Sequence, residues 1–439
     1  MSFATLDRRN LLHGGCPIRL RGFNIGNWLN LENFMLGLPG IDCLIRRALR
    51  EVAGEEKYAA FFDAFTGNFF TEEDAAHIRA MGFNLLRVPF NYRLFESDQA
   101  TYQYDERGFA RLDQVMGWAK RHDLFVLLDL HAAVGGQSED WHADAAHVEP
   151  LLWDYREFQD RTTALWKAIA TRYTREEALL GYDLLNEPNA ADPDALNAFY
   201  HRTIDAIRAV DTRHVIVLEG TRWSDDIFSL HKDLFNDPLV LPSFHHYPLF
   251  DVAEYPFTRN GVTYDRAHIA QTMANKFAFY DAIERPMLLG EFGYNGHATT
   301  DAGYRVVDDL LSLIDEKQMH WTHWSYKDVG RMGFMKVAAS TPWQQFRSSV
   351  TKQRKNELDA PFSALLAAVR TAYPDLPAPM RTKLAKKLHL PLAALELREQ
   401  MKALAAASLD DLRAMGGSFR LASCERNDRA WQVFQKHLA

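Results

Sequence analysis

The stretch LFVLLDLH, residues 124–131, is apolar at six of its eight positions and does not alternate with polar residues. A strand with one face in water would alternate. A near-continuous run is buried on both faces, as in a parallel sheet covered by helices. Seven more runs of this kind occur: RLRGFNI (19–25), FNLLRVP (83–89), LLGYDLLNE (179–187), HVIVLEG (214–220), LVLPSFHHY (239–247), PMLLGEFG (286–293) and MHWTHWSY (319–326). Amphipathic segments separate them. Thr71 with Asp74 forms a capping pair ahead of Ile78 and Met81. Leu112, Val115, Met116 and Ala119 fall at helical spacing. Asp192-Pro193 is an N-cap and first-turn pair before Leu196, Tyr200, Ile204 and Ile207. Ile269, Met273 and Phe277, then Tyr304, Val307, Leu311 and Ile314, repeat the pattern. The helical signal is weakest near 225–233, and Pro242 blurs the bounds of the sixth run.

Eight β-then-α units in series predict an α/β fold, a closed (β/α)₈ TIM barrel with its site where the strands end. The connections 26–70 and 132–156 are long and carry Trp28, Phe34, Trp141 and Trp153, the content of binding loops. From about residue 345 the strands cease. Residues 347–370 and 381–416 read as helices broken at Pro374, Pro377 and Pro379. The expected organisation is a barrel over 1–345 and a helical extension packed on it over 346–439.

Composition narrows the functional classes. With 439 residues, 47% hydrophobic and 25% charged, the chain has ample material for a core. Fifty basic against 58 acidic residues, a net charge of −8, supply no footprint for a phosphate backbone, so nucleic acid is not an expected partner. No apolar run approaches the length of a membrane span. Cys16, Cys43 and Cys424 are too few and too scattered for a disulfide framework or a zinc site. Arg8-Arg9 resembles a twin-arginine signal, but His13-Gly14-Gly15-Cys16-Pro17 follows in place of an apolar stretch. The arginines are expected at the surface and the protein in the cytoplasm.

The polar residues that close the runs carry the chemistry. They are Arg87, His131, Asn186-Glu187, His245 with Tyr247, Glu291 and Trp324, and a barrel brings all of them to one mouth. Glu187 and Glu291 close the fourth and seventh runs. Two carboxylates facing one cavity, one protonated and one ionised, are the apparatus of glycoside hydrolysis. Arg87 and Tyr247 are suited to holding one of them anionic. Asn186 offers an amide to a sugar hydroxyl, and Trp324 a flat apolar face to a sugar ring.

LLNEP (184–188) and LLGEFG (288–293) resemble the acid/base and nucleophile motifs of family 5 glycoside hydrolases, which are retaining β-glycosidases. RVPFNY (87–92), LDLH (128–131), the His-x-Tyr at 245–247 and WSYKD (324–328) follow in the family's order, and the resemblance spans residues 19 to about 345. It implies Glu187 as general acid/base and Glu291 as nucleophile, with Arg87, His131, Asn186, His245, Tyr247 and Trp324 lining the subsite of the transferred sugar. RGFNIGNWLNLE (21–32) and LDLHAAVGGQ (128–137) are similar to exo-acting β-1,3-glucanases and related β-glucosidases, which implies that Glu32 contacts the terminal sugar. Gly26-Asn27-Trp28 departs from the usual Gly-Gly-Trp. The implied mechanism is double displacement, with the two carboxyl groups about 5–5.5 Å apart.

The expected activity is therefore exo cleavage of β-glucosides or short β-gluco-oligosaccharides, without cofactor or metal. The partner is an oligosaccharide or small glycoside. A β-mannosidase, an endo-β-glucanase, a transglycosylase and a non-catalytic sugar-binding barrel are the alternatives. A metal-dependent hydrolase is disfavoured. His245-His246, His320 with His323 and His142 with His147 are its candidates, and none has metal-ligand spacing at a strand end.

Overall fold

The computed structural model describes residues 2–249, 252–295, 300–354 and 359–438. Eight parallel strands follow the chain: β1 (Arg21–Asn24), β2 (Leu85–Asn91), β3 (Phe125–Ala132), β4 (Leu179–Asp183), β5 (Val215–Glu219), β6 (Val240–His245), β7 (Leu288–Glu291) and β8 (His320–His323). Each pairs with the next and β8 pairs with β1, so the barrel closes as expected. Pro242 lies inside β6. The neighbouring β7 begins opposite Ser243, so on that side no ladder bond to the proline is needed.

Several strands end earlier than their apolar runs. β4 stops at Asp183, four residues short of Glu187, which takes a left-handed backbone with φ 48°. Trp324 and Tyr247 likewise lie just past the ends of β8 and β6.

The helical positions are buried where the spacing placed them: Leu112, Val115, Met116 and Ala119 on Glu106–Arg121, and Leu196, Tyr200 and Ile207 on Pro193–Arg208. Asp192 caps the latter, accepting from the Asp194 N–H. Asp74 accepts from both the N–H and the hydroxyl of Thr71. The fifth unit, where the signal was weakest, has only the 3₁₀ turns Ile227–Ser229 and Lys232–Asn236.

Residues 4–18 form an antiparallel ribbon across the foot of the barrel. Its Ala4 and Leu11 pack on Leu85, Phe125, Val215 and Leu288, the first residues of four strands. Arg9, in that ribbon, is part-exposed and pairs with Asp281. The three cysteines are free thiols. The connection after β1 holds three inserted helices, Asn33–Leu36, Asp42–Ala53 and Glu55–Phe69, ahead of the barrel helix Glu72–Ala80.

Within 346–439 the chain does two things. Helix Ala378–Ala405 lies over Asp42–Ala53, with Leu397 against Gly40, and helix Leu409–Gly416 packs on Glu55–Phe69. The last helix, Asp428–Lys436, returns to the barrel wall beside Ala302–Glu316. There Phe434 meets Phe23, Phe292, Trp321 and His323, the outward side chains at the seam of β7, β8 and β1. Residues 355–358, within the helix expected over 347–370, lie outside the described residues. No helix among the described residues is long and apolar enough to cross a membrane.

Candidate active site

Residues two apart on a strand share a face, so the lumen of the barrel follows from the sequence at every second position. At the foot that set is apolar: Leu85, Leu127 and Val217. Two residues further along it becomes Arg87, Asp129 and Glu219, joined by Asp183 from β4, and all four are fully buried.

Arg87 spends its whole donor fork on this layer. Nε donates to Asp183 at 2.9 Å, and Nη1 donates to Asn24 at 2.8 Å and to Glu291 Oε1 at 2.9 Å. Nη2 donates to Asn186 at 3.0 Å and to Glu219 at 3.1 Å, and lies 3.2 Å from Asp129. One cation thus faces four carboxylates, too many charges to bury unbalanced. Protons make up the difference. Burial, reinforced by the Glu219 charge, pushes the Asp183 carboxyl well above its usual range. For Glu219 burial is outweighed by His245 and Arg87, which hold it down at about 2. Burial opposes charge on His131, but Asp129 and Glu32 prevail and raise it to about 10.

Glu187 and Glu291 stand above this layer. Carboxylate oxygens of the two and a ring nitrogen of His245 all lie within 4.8 Å of one another. Their surroundings differ. Glu291 accepts from Arg87 and, at 3.0 Å, from the Tyr247 hydroxyl, two donors that favour the anion. Glu187 accepts from His245 Nδ1 at 2.7 Å, and its other oxygen is 3.4 Å from His142 Nε2. Burial, with the charges of Glu291 and Glu219 behind it, pushes the Glu187 carboxyl up to about 7 despite that hydrogen bond. Burial and two neighbouring imidazoles hold His142 neutral. Gly290 makes room for the arrangement, since a β-carbon there would sit 2.6 Å from Ser243 Oγ and 3.0 Å from His245 Nε2.

The mouth is a cavity of about 570 Å³, within the range of small-molecule sites. Glu32, His131, Asn186, Glu187, Tyr247, Glu291 and Trp324 line it. His131 stacks on Trp324 with ring centroids 5.0 Å apart, and its Nε2 is 3.3 Å from Glu32 Oε1. Trp141 donates to the other Glu32 oxygen at 3.2 Å. The Asn186 amide nitrogen, buried and without a partner among the described residues, is left for a ligand.

All nine side chains singled out from the sequence therefore meet in one place, in two tiers. Seven line the cavity, whereas Arg87 and His245 lie beneath it and reach a ligand only through Glu187, Glu291 and Asn186. Sequence reasoning missed Asp129, Asp183 and Glu219, and named His142 on the 132–156 connection only as a metal candidate. The first three carried a signal: each is an acid inside an apolar run, on the lumen face that Arg87 shares.

The histidine pairs do not converge. His246 turns to Thr272 at 3.0 Å, His320 accepts from the Leu20 N–H, and His323 stacks on Tyr294. His142 is buried and His147 exposed. Among the described residues the cluster with metal-ligand spacing is Glu187, His245 and Glu291. The Arg87 guanidinium at 2.9 Å from Glu291, and a His245 whose burial is outweighed by Glu219 and Glu291 so that it holds its proton, oppose a divalent cation there.

A model of the family described as Cellulase (glycosyl hydrolase family 5) matches residues 53–330, more than half of the chain. A beta-xylosidase of Phanerodontia chrysosporium is 35% identical over 373 residues, covering 82% of this chain and 78% of that protein. A probable glucan 1,3-beta-glucosidase A of Emericella nidulans is 25% identical over 283 residues, 62% of this chain and 67% of the relative. Among solved structures, the endoglucanase Cel5A of Thermotoga maritima shares the fold with a TM-score of 0.53 at 21% identity, covering 72% of this chain and 91% of that one. The chain belongs to glycosyl hydrolase family 5 and is a glycoside hydrolase acting on β-glycosides.

Proposed function

We propose that the protein is a retaining, exo-acting β-glycosidase that removes a terminal sugar from β-glucosides or short β-gluco-oligosaccharides. Glu187 is its general acid/base and Glu291 its nucleophile. The observation that carries this reading is the pair itself. One carboxylate oxygen of each lies within 4.8 Å of one on the other, a closeness that favours direct attack on the anomeric carbon over activation of a water between them.

In the first step Glu187 gives its proton to the glycosidic oxygen. Glu291 attacks the anomeric carbon, the C–O bond to the aglycone breaks, and a glycosyl ester forms on Glu291. Arg87 and Tyr247 hold the attacking carboxylate in place by hydrogen bonds to its two oxygens. Esterification cancels the Glu291 charge, one of the influences that keeps the Glu187 proton on. Glu187 then becomes the stronger acid and, having lost its proton, serves as base. It takes a proton from water, the water oxygen bonds to the anomeric carbon, and Glu291 leaves with the configuration retained. Asn186 and Trp324 supply an amide donor and an apolar face for the sugar.

A β-xylosidase is the second reading, favoured by the beta-xylosidase relative at 35% identity. Initial rates on aryl β-glucoside, mannoside, galactoside, xyloside and cellobioside, with Glu291→Ala as control, test both. Turnover of one monosaccharide glycoside, lost in the control, supports exo action and names the sugar. Turnover of the cellobioside alone overturns it in favour of an endo-glucanase.

A further inference from the structure

A second cavity, of about 340 Å³, adjoins the catalytic one, and Asn33 and Trp141 line both. Its floor is the 139–148 segment and its roof is helix Ala378–Ala405, which belongs to no βα unit of the barrel. We propose that this cavity binds the aglycone of the substrate, and that the aglycone is an apolar alkyl or aryl group and not a further sugar. The proposal rests on the exo reading above.

The lining decides the chemistry. Ile41, Trp141, Ala145, Val148, Leu390 and Ala393 face the cavity. The charged groups that line it are committed to one another: Lys386 is 2.6 Å from Asp140 and 3.5 Å from Glu139. Asn33 and His389 are the other polar residues of the lining. A sugar ring would need hydroxyl partners around its edge, whereas an alkyl or aryl group needs only apolar wall. Trp141 is already aimed, since its indole N–H is held by Glu32 while the side chain remains 43% exposed.

Two observations place the leaving group here. In an exo enzyme the glycone is a single ring, so only the aglycone extends into a neighbouring cavity. The cavity wall is also tied to the acid: Glu139 accepts at 2.9 Å from Asn189, two residues beyond Glu187, and His142 beside Trp141 reaches Glu187 itself. The loop after β4 that carries the proton donor is thus tied to the 139–148 segment that floors the cavity.

The test compares kcat/KM for hexyl and methyl β-glycosides of the preferred sugar, in the wild type and in Ala385→Trp and Leu390→Asn. Ala385→Trp fills the cavity from the helix, and Leu390→Asn makes its wall polar. The wild type should favour the hexyl glycoside by about tenfold or more, and both variants should bring the ratio to within about twofold. A flat wild-type ratio, or a preference that survives in both folded variants, overturns the aglycone site while leaving the exo reading standing. Turnover of the cellobioside alone, with neither alkyl glycoside cleaved, overturns the exo reading and this one with it.

Discussion

Glu219 Oε2 accepts the backbone N–H of Glu187 at 2.7 Å, so one strand-end carboxylate fixes where the other begins. Glu187 has φ 48°, a conformation that non-glycine residues seldom adopt. The bond from β5 holds that turn in place. The other Glu219 oxygen accepts from Arg87 at 3.1 Å and lies 3.0 Å from His245, so Glu219 touches one support of each of the two carboxylates.

Glu219→Gln should therefore lower kcat about 10- to 100-fold without touching the sugar. Loss of one charged partner of Arg87 should cost about 1–3 kcal/mol of stability, read by thermal unfolding. A variant with full kcat would show that the backbone of Glu187 needs no such tether.

Glu187 and Glu291 should fail in different ways. On a dinitrophenyl glycoside, whose leaving group needs no acid, Glu187→Ala should form the glycosyl-enzyme and stall. Azide should then restore turnover and yield a β-glycosyl azide. Glu291→Ala should lose about 10⁴-fold or more, and azide should yield the α-anomer by direct displacement. Product anomer by NMR checks the assignment, and swapped anomers would reverse it.

Activity should decline as pH rises through about 7, where Glu187 loses the proton it must donate. The limb should be pronounced with an alkyl leaving group and shallow with dinitrophenolate. A limb of equal depth for both would assign it to another group.

The same carboxyl makes folding less favourable at high pH. It holds its proton to about 7 when folded but only to about 4.5 when unfolded, so the folded state binds more protons in between. Stability is lost across that window as pH rises. Glu187→Gln removes the loss. It should match the wild type near pH 4 and exceed it by about 3 kcal/mol at pH 8, in urea unfolding at the two pH values.

Arg87→Lys keeps the charge and loses the fork. A lysine has three donors on a flexible stem and cannot span Asp183, Asn24, Glu291 and Glu219 together. Activity should fall about 10³-fold and stability by about 3 kcal/mol. Retention of either would show that the lumen layer needs only a cation.

Much of this site is legible along the chain because strand order is chain order in a barrel. Once LFVLLDLH and its seven counterparts are read as buried parallel strands, their last polar residues must share one rim. That places Glu187 beside Glu291 without any contact being known. The ionic layer below was legible in principle: Asp129 and Glu219 stand in phase with Arg87. A lone acid in an apolar run, however, does not say which cation it meets.

Sequence alone determined the eight strands, the identity of the rim residues and the family motifs, since these depend on periodicity and order along one dimension. The tertiary structure decided the rest. It set Arg87 and His245 beneath the cavity and not in its wall, because only packed geometry distinguishes a residue that touches a ligand from one that holds its neighbour. It brought Asp428–Lys436 back to the seam of β7, β8 and β1 across about a hundred residues of helix, and it laid Ala378–Ala405 over the 132–156 connection. Amphipathic spacing says that a helix has a face to bury. It does not say against what, because burial is satisfied by any apolar surface within reach and the choice is made by shape and charge in three dimensions.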